Sequence, residues 1–125
     1  MAKNERLLTE TELELMTILW RRGEGSVNDV LAALPAGRDL AYTSVSTILR
    51  ILEQKGAVRT RKEGRGHVYT PALKKSDYET EAVRHVVDKV FDGTPLELVK
   101  ALIDRGGLSA QEIEEMRELL RGGKT

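Results

Sequence analysis

Cysteine is absent from this chain. Its absence removes any disulfide framework and any thiolate metal site, and it fits a reducing compartment. Aromatic residues are scarce, 4% against 40% hydrophobic overall, so a core must be mostly aliphatic. Net charge is zero, which taken alone argues against a polyanionic partner. No apolar run of about 18 residues occurs, and the opening "MAKNERLLTE" lacks the apolar stretch of a secretory signal. The expectation is a cytoplasmic protein that neither spans nor enters the membrane. P-loops, G-x-S-x-G elbows and glycine-rich cofactor turns are also missing. The two histidines, His67 and His85, lie in different segments, with nothing at ligand spacing to join them. His67, in the glycine-flanked stretch "GRGHVY", reads as a residue facing an anion or solvent, and His85 as a surface or interface residue. No enzyme, cofactor or metal site is expected.

What is present is charge, at 32% of residues, which favours a soluble, helix-rich protein of one small domain or one domain with an appendage. That charge is unevenly distributed. Residues 1 to 34 sum to −2, residues 35 to 75 to +6 and residues 76 to 125 to −4. A basic centre between acidic flanks fits a nucleic-acid partner, and it also fits chance clustering of solvated charges.

Helix starts are marked by capping residues. "LTETEL" sets Thr9 three residues before Glu12 and brackets the pair with Leu8 and Leu13, a capping box with a hydrophobic staple. "LSAQEI" repeats this with Leu108, Ser109, Glu112 and Ile113. "TPLE" offers Thr94 as cap and Pro95 at the first helical position. A first helix over 9–22 then carries Leu13, Met16, Leu19 and Trp20 inward, and Gly23 ends it. Ser26 caps a short second helix bearing Val27, Val30, Leu31 and Leu34. A third runs from Tyr42 or Thr43 to Gly56. Short strands follow around Val58–Thr60 and His67–Thr70, with "KEGRG" between them. Three more helices are predicted over 76–92, 95–105 and 109–121. The order predicts a mainly α fold: a winged helix-turn-helix over 7–74, whose first strand must be very short, with its small β-hairpin wing, then a C-terminal three-helix region over 75–121. About 40 residues cannot bury three apolar stripes alone, so that region calls for a second copy of the chain. The candidate pairing residues are Val83, Val87, Val90 and Phe91, then Val99, Leu102 and Ile103, then Ile113, Met116 and Leu120.

The third helix, within "AYTSVSTILRILEQKG", sets Val45, Ile48, Leu49 and Leu52 on one arc. The opposite half holds Thr43, Ser46, Thr47, Arg50 and Gln54. A solvated helix face usually carries Glu and Lys, which favour helix, whereas Thr and Ser disfavour it. Short hydroxyl side chains let a helix approach closely and can meet phosphates, base edges or a thymine methyl. Arg50 can grip a guanine or a phosphate with two hydrogen bonds. The hairpin "VRTRKEGRGHVY" adds Arg59, Arg61, Lys62 and Arg65 around Gly64 and Gly66. A basic wing suits backbone phosphate, and basic residues also protect sheet edges from aggregation.

"TETELELMTILWRRGEGSVNDVLAAL", "LAYTSVSTILRILEQKGAVRTRKEGRGHVYTP" and "LSAQEIEEMRELL" resemble the penicillinase-repressor family, the BlaI/MecI/CopY group, over about residues 7 to 121. The resemblance implies a homodimeric winged-helix repressor that holds an inverted-repeat operator in double-stranded DNA, with the C-terminal helices dimerising. Matching the family's recognition helix implies DNA contacts at Thr43, Ser44, Ser46, Thr47 and Arg50, with Arg61 and Arg65 on the wing. The cysteine-rich metal motif of the CopY branch is absent, so copper-responsive release is not expected. The β-lactam branch brings a membrane-bound sensor-peptidase as a partner, through cleavage at an Asn-Phe bond. By position that bond falls at Ala101–Leu102, where Asn-Phe is missing. The rival reading is a winged-helix module that binds protein and not DNA. Small-molecule sensing between the C-terminal helices lacks a polar group inside the stripes to orient a ligand.

Overall fold

A computed structural model describes residues 7–122. Its elements run α1 (Glu10–Arg22), β1 (Gly25–Ser26), α2 (Val27–Ala32), α3 (Tyr42–Gln54), β2 (Val58–Glu63), β3 (Gly66–Pro71), α4 (Lys75–Val90), α5 (Pro95–Arg105) and α6 (Ala110–Leu120). The sheet is antiparallel in the order β1-β3-β2, with Gly25 opposite Tyr69 and Val58 opposite Pro71. The first strand is two residues long, and it joins the wing because β3 offers its free edge to the start of α2.

The caps form as their sequences predict. The Thr9 hydroxyl accepts the Glu12 N–H at 3.2 Å, and the Glu12 carboxylate accepts the Thr9 N–H at 2.9 Å. Ser109 and Glu112 do the same for α6, and Ser26 with Asp29 for α2. Thr94 departs from expectation. It occupies the cap position of α5, but its side chain caps nothing. Its ψ of 101° lies far from the 164–174° of the working serine and threonine caps, and the residue before proline is sterically restricted.

The chain divides by contacts into two units, with the boundary inside α4 between Ala82 and Val83. The first unit holds the core. Leu15, Met16 and Leu19 of α1, Val30 of α2 and Val45, Leu49 and Leu52 of α3 are fully buried, joined by Val58 and Tyr69 from the sheet. On α1 the buried set is Leu15, Met16, Ile18 and Leu19, while Leu13 and Trp20 are only half-buried. Neighbours on several sides, among them α2, α3 and the sheet, widen the covered arc beyond the single stripe the sequence suggests. The first turns of α4 are sewn to this unit. Trp20 Nε1–H donates to the Leu73 carbonyl at 2.9 Å, the Leu8 N–H donates to the Tyr78 hydroxyl at 3.2 Å, and the Trp20 and Tyr78 rings lie 6.1 Å apart.

Two ion pairs orient α3. Arg38, in the connection before it, donates from Nε to both Glu14 oxygens at 3.0 Å and reaches the Thr11 hydroxyl. Lys55, at its end, donates to Glu12 at 2.7 Å. Glu12 is the one buried charged side chain among the described residues. Burial pushes its carboxyl up, but the Lys55 ammonium and the Thr9 N–H outweigh this and hold it below the ordinary value of 4.5. A depressed carboxyl contributes stability above its unfolded pKa and loses that contribution as pH falls through the folded one. Glu12→Gln should therefore lower stability at pH 7 by about 1–3 kcal/mol, and the gap to wild type should close below pH 4.5. Thermal melting followed by Trp20 fluorescence across pH 3–7 reads this, and a gap constant with pH would remove the charge pair as its cause.

Candidate nucleic-acid interface

The buried seam of α3 dictates what its other side presents. Val45, Leu49 and Leu52 are fully inside, Ile48 and Ile51 are half-buried, and Thr43, Ser44, Thr47, Arg50 and Gln54 are exposed. Ser46 is half-buried, because it lines a cleft. That cleft, about 310 Å³, lies between the start of α2, the outer side of α3 and the wing. It brings together Ser46, Arg50 and Arg65 from the sequence-predicted set and adds Asn28, Tyr42 and His67. Tyr42, Ser46 and Arg50 follow one another at four-residue spacing, so the face is continuous along three turns. That spacing was available in the sequence. Asn28 carried no comparable signal, because α2 is only six residues long.

Neither Arg50 nor Arg65 makes an ion pair with any described residue, so the cleft presents two unpaired guanidiniums beside hydroxyl groups, with Glu53 as its one carboxylate. Such a surface donates hydrogen bonds in several directions and attracts anions. At the wing tip, Glu63 faces Gly66, and Gly64 takes φ +60° as the first residue of a two-residue turn, where a Cβ would strain the backbone. Gly66, by contrast, takes no positive φ.

Arg61 stands apart. Alternation along β2 puts Val58 and Thr60 toward the core and cleft, and Arg59, Arg61 and Glu63 on the opposite face. There the Arg61 fork holds Glu24 at 2.8 and 3.1 Å and reaches Glu63 at 3.3 Å. The Arg61 guanidinium holds the Glu24 carboxyl below its usual range, and Glu24 with Glu63 raises Arg61.

The second unit contains little core of its own. Val87 is its one buried apolar residue among those described. Val83, Val90, Leu102, Ile103 and Leu120 are exposed, Leu120 at 85%, while Phe91, Val99, Ile113 and Met116 are half-buried. Neither α5 nor α6 buries a single residue. Among the described residues no helix is long and apolar enough to cross a membrane, and no group of three His, Cys, Asp or Glu is placed to hold a metal ion.

Three helices, a three-stranded sheet and a hairpin beside the third helix make this a winged helix-turn-helix protein. The chain belongs to the penicillinase repressor family, whose model matches residues 8–122. The penicillinase repressor of Bacillus licheniformis is 30% identical over 117 residues, covering 94% of this chain and 91% of that protein. The methicillin resistance regulatory protein MecI of Staphylococcus aureus (strain N315) is 26% identical over 113 residues, 90% of this chain and 92% of that one. The solution structure of the DNA-binding domain of the repressor BlaI aligns with a TM-score of 0.52 and 34% identity, covering 58% of this chain and 89% of that one.

The two sides of α3 should separate in stability measurements. Leu49→Ala is expected to destabilise the first unit by about 2–5 kcal/mol through lost burial and a cavity. Thr47→Ala should leave it unchanged or raise it by about 0.5 kcal/mol, since alanine is the better helix former. Urea unfolding followed by Trp20 fluorescence checks both, and a large loss from Thr47→Ala would place that residue inside.

Proposed function

We propose that the protein is a sequence-specific DNA-binding transcriptional repressor of the cytoplasm, acting as a homodimer on an inverted-repeat operator. In this reading α3 enters the major groove. Thr43, Ser44, Ser46, Thr47 and Arg50 face base edges and phosphates, and Arg65 and Arg61 bring the wing onto the backbone. The observation that carries it is the exposed hydroxyl-and-arginine side of α3 beside a cleft with two unpaired guanidiniums. Family membership supports a regulatory role and not a catalytic one, and the relatives are named as repressors and regulators.

Dimerisation through residues 75–121 is supported by the apolar side chains that unit 2 leaves uncovered. Two joined reading heads bind two half-sites far more tightly than either does alone. A membrane-bound sensor-peptidase that ended repression at Ala101–Leu102 would meet a bond inside α5, so the helix would have to open before an extended segment could enter a protease cleft.

Gel shifts with fragments upstream of the protein's own gene test the reading. Wild type should give a salt-sensitive shift, Arg50→Ala should weaken it at least tenfold with unchanged melting, and Arg65→Ala should lower the salt slope by about 0.9, one phosphate contact. No shift at micromolar protein would favour a protein-binding module. Leu102→Asp should give monomers in sedimentation and weak binding to a full operator, whereas a mutant that stays dimeric would move the interface elsewhere.

A further inference from the structure

The outer face of the wing is built differently from its cleft side. On that face Arg61 lies opposite Val68, and Val68 lies opposite Ser26, so the Arg61 side chain reaches across β3 to Glu24 at the head of β1. Val68 is buried there yet stands outside the main core cluster, and the register sets the Arg61 side chain beside it. The contact with Glu24 is two-pronged, Nη1 to Oε1 at 2.8 Å and Nη2 to Oε2 at 3.1 Å, with Glu63 adding a third bond at 3.3 Å. These are the donors a phosphate would need, since a carboxylate and a phosphate present the same pair of oxygens to a guanidinium.

All three side chains are about half exposed. Water screens such pairs, so the carboxylate can be exchanged for another anion at little expense. Glu24 and Glu63 offset Arg61 and its face neighbour Arg59, so this edge offers a duplex little net attraction while both carboxylates stay. Arg50 and Arg65 have no carboxylate partner among the described residues. Glu24 sits between Gly23, at φ +92°, and Gly25. The backbone here is held by the Gly25–Tyr69 pairing and by Arg22 on the Glu24 carbonyl, so rotation of the exposed Glu24 side chain alone releases the fork without disturbing β1.

We propose that Glu24 is an internal competitor for DNA phosphate, which occupies the Arg61 fork in the free protein and sets how strongly the wing grips any duplex. This rests on the DNA-binding reading above. It makes Arg61 a conditional contact, formed by exchange, beside the unconditional ones at Arg50 and Arg65. Because the exchange is with backbone phosphate, Glu24 tunes affinity for all sequences alike and leaves the choice of site to α3.

The experiment uses the full chain and a fluorescein-labelled duplex of mixed sequence, titrated by anisotropy at low and physiological salt. Glu24→Gln should bind about threefold to tenfold more tightly than wild type at low salt, with a smaller gain at higher salt. In an Arg61→Ala background the same substitution should give no gain. Glu24→Ala should match Glu24→Gln, which guards against an effect of the new amide, and Trp20 melting should stay at the wild-type value in all variants. Binding by Glu24→Gln equal to or weaker than wild type overturns the proposal. A gain that persists without Arg61 overturns it too, because general charge repulsion then suffices, and so does disagreement between the two Glu24 variants. If wild type shows no salt-sensitive binding, the DNA reading falls and this one with it. If wild type binds and Glu24→Gln brings no gain, only this one falls.

Discussion

Val45, Leu49 and Leu52 set the rotation of α3 about its own axis, and the rest of the interface follows from that rotation. Each is fully buried, and one turn separates each from the next. A helix held by three such side chains has one orientation available, since turning it far enough to bury Thr47 would expose an aliphatic side chain worth about 1.5–3 kcal/mol. The pairs at either end of α3 reinforce the setting. Arg38 ties the approach to α1, and Lys55 ties the exit to Glu12. The hydroxyl side is therefore presented by the core, and not by contacts of its own. This lets it carry residues that are poor for helix stability, because the seam supplies the energy that propensity withholds.

Charge looks different in sequence and in space. Residues 35 to 75 sum to +6, but not all of that charge is available to a partner. Arg38 is bound to Glu14, Lys55 to Glu12 and Arg61 to Glu24, each partner drawn from the acidic N-terminal third. Arg50, Arg59, Lys62, Arg65 and Lys74 have no ion pair among the described residues, and of these Arg50 and Arg65 line the cleft. The pairing thus thins a diffuse basic stretch, leaving two of its unpaired cations in the cleft and balancing Arg59 and Arg61 against Glu24 and Glu63 on the outer side of the wing.

This also separates what could be read in the sequence from what could not. The capping boxes at Thr9 and Ser109, the seam of α3 and the hairpin are local patterns, complete within a few residues, and each appears, though the hairpin strands run on through Glu63 and from Gly66, into the segment read as their connection. Glu12 and Lys55 are 43 residues apart, and Glu24 and Arg61 are 37 apart. No local rule connects them, so Arg61 reads from sequence as a free wing cation, and Glu24 does not register as part of the site. Tyr42 lies between these cases. Its four-residue spacing to Ser46 and Arg50 is local, but its aromatic ring resembles a core residue until burial shows it half exposed.

The two units solve the problem of burial in opposite ways. The first closes a core around α1, α2, α3 and the sheet, and among its described residues Tyr42 is the one large apolar side chain that stands exposed. The second spreads Val83, Val86, Val90, Leu96, Leu102, Ile103, Leu119 and Leu120 over its surface and, among its described residues, buries only Val87. Capping and propensity alone leave isolated helices of eleven residues, the length of α5 and α6, marginal in water. Their persistence therefore calls for apolar cover beyond their own unit, which is what the proposed two-fold pairing would supply with the same surface on both sides. If that pairing holds, the folding of this region is linked to protomer concentration, and occupancy of paired half-sites and the stability of the second unit would rise and fall together.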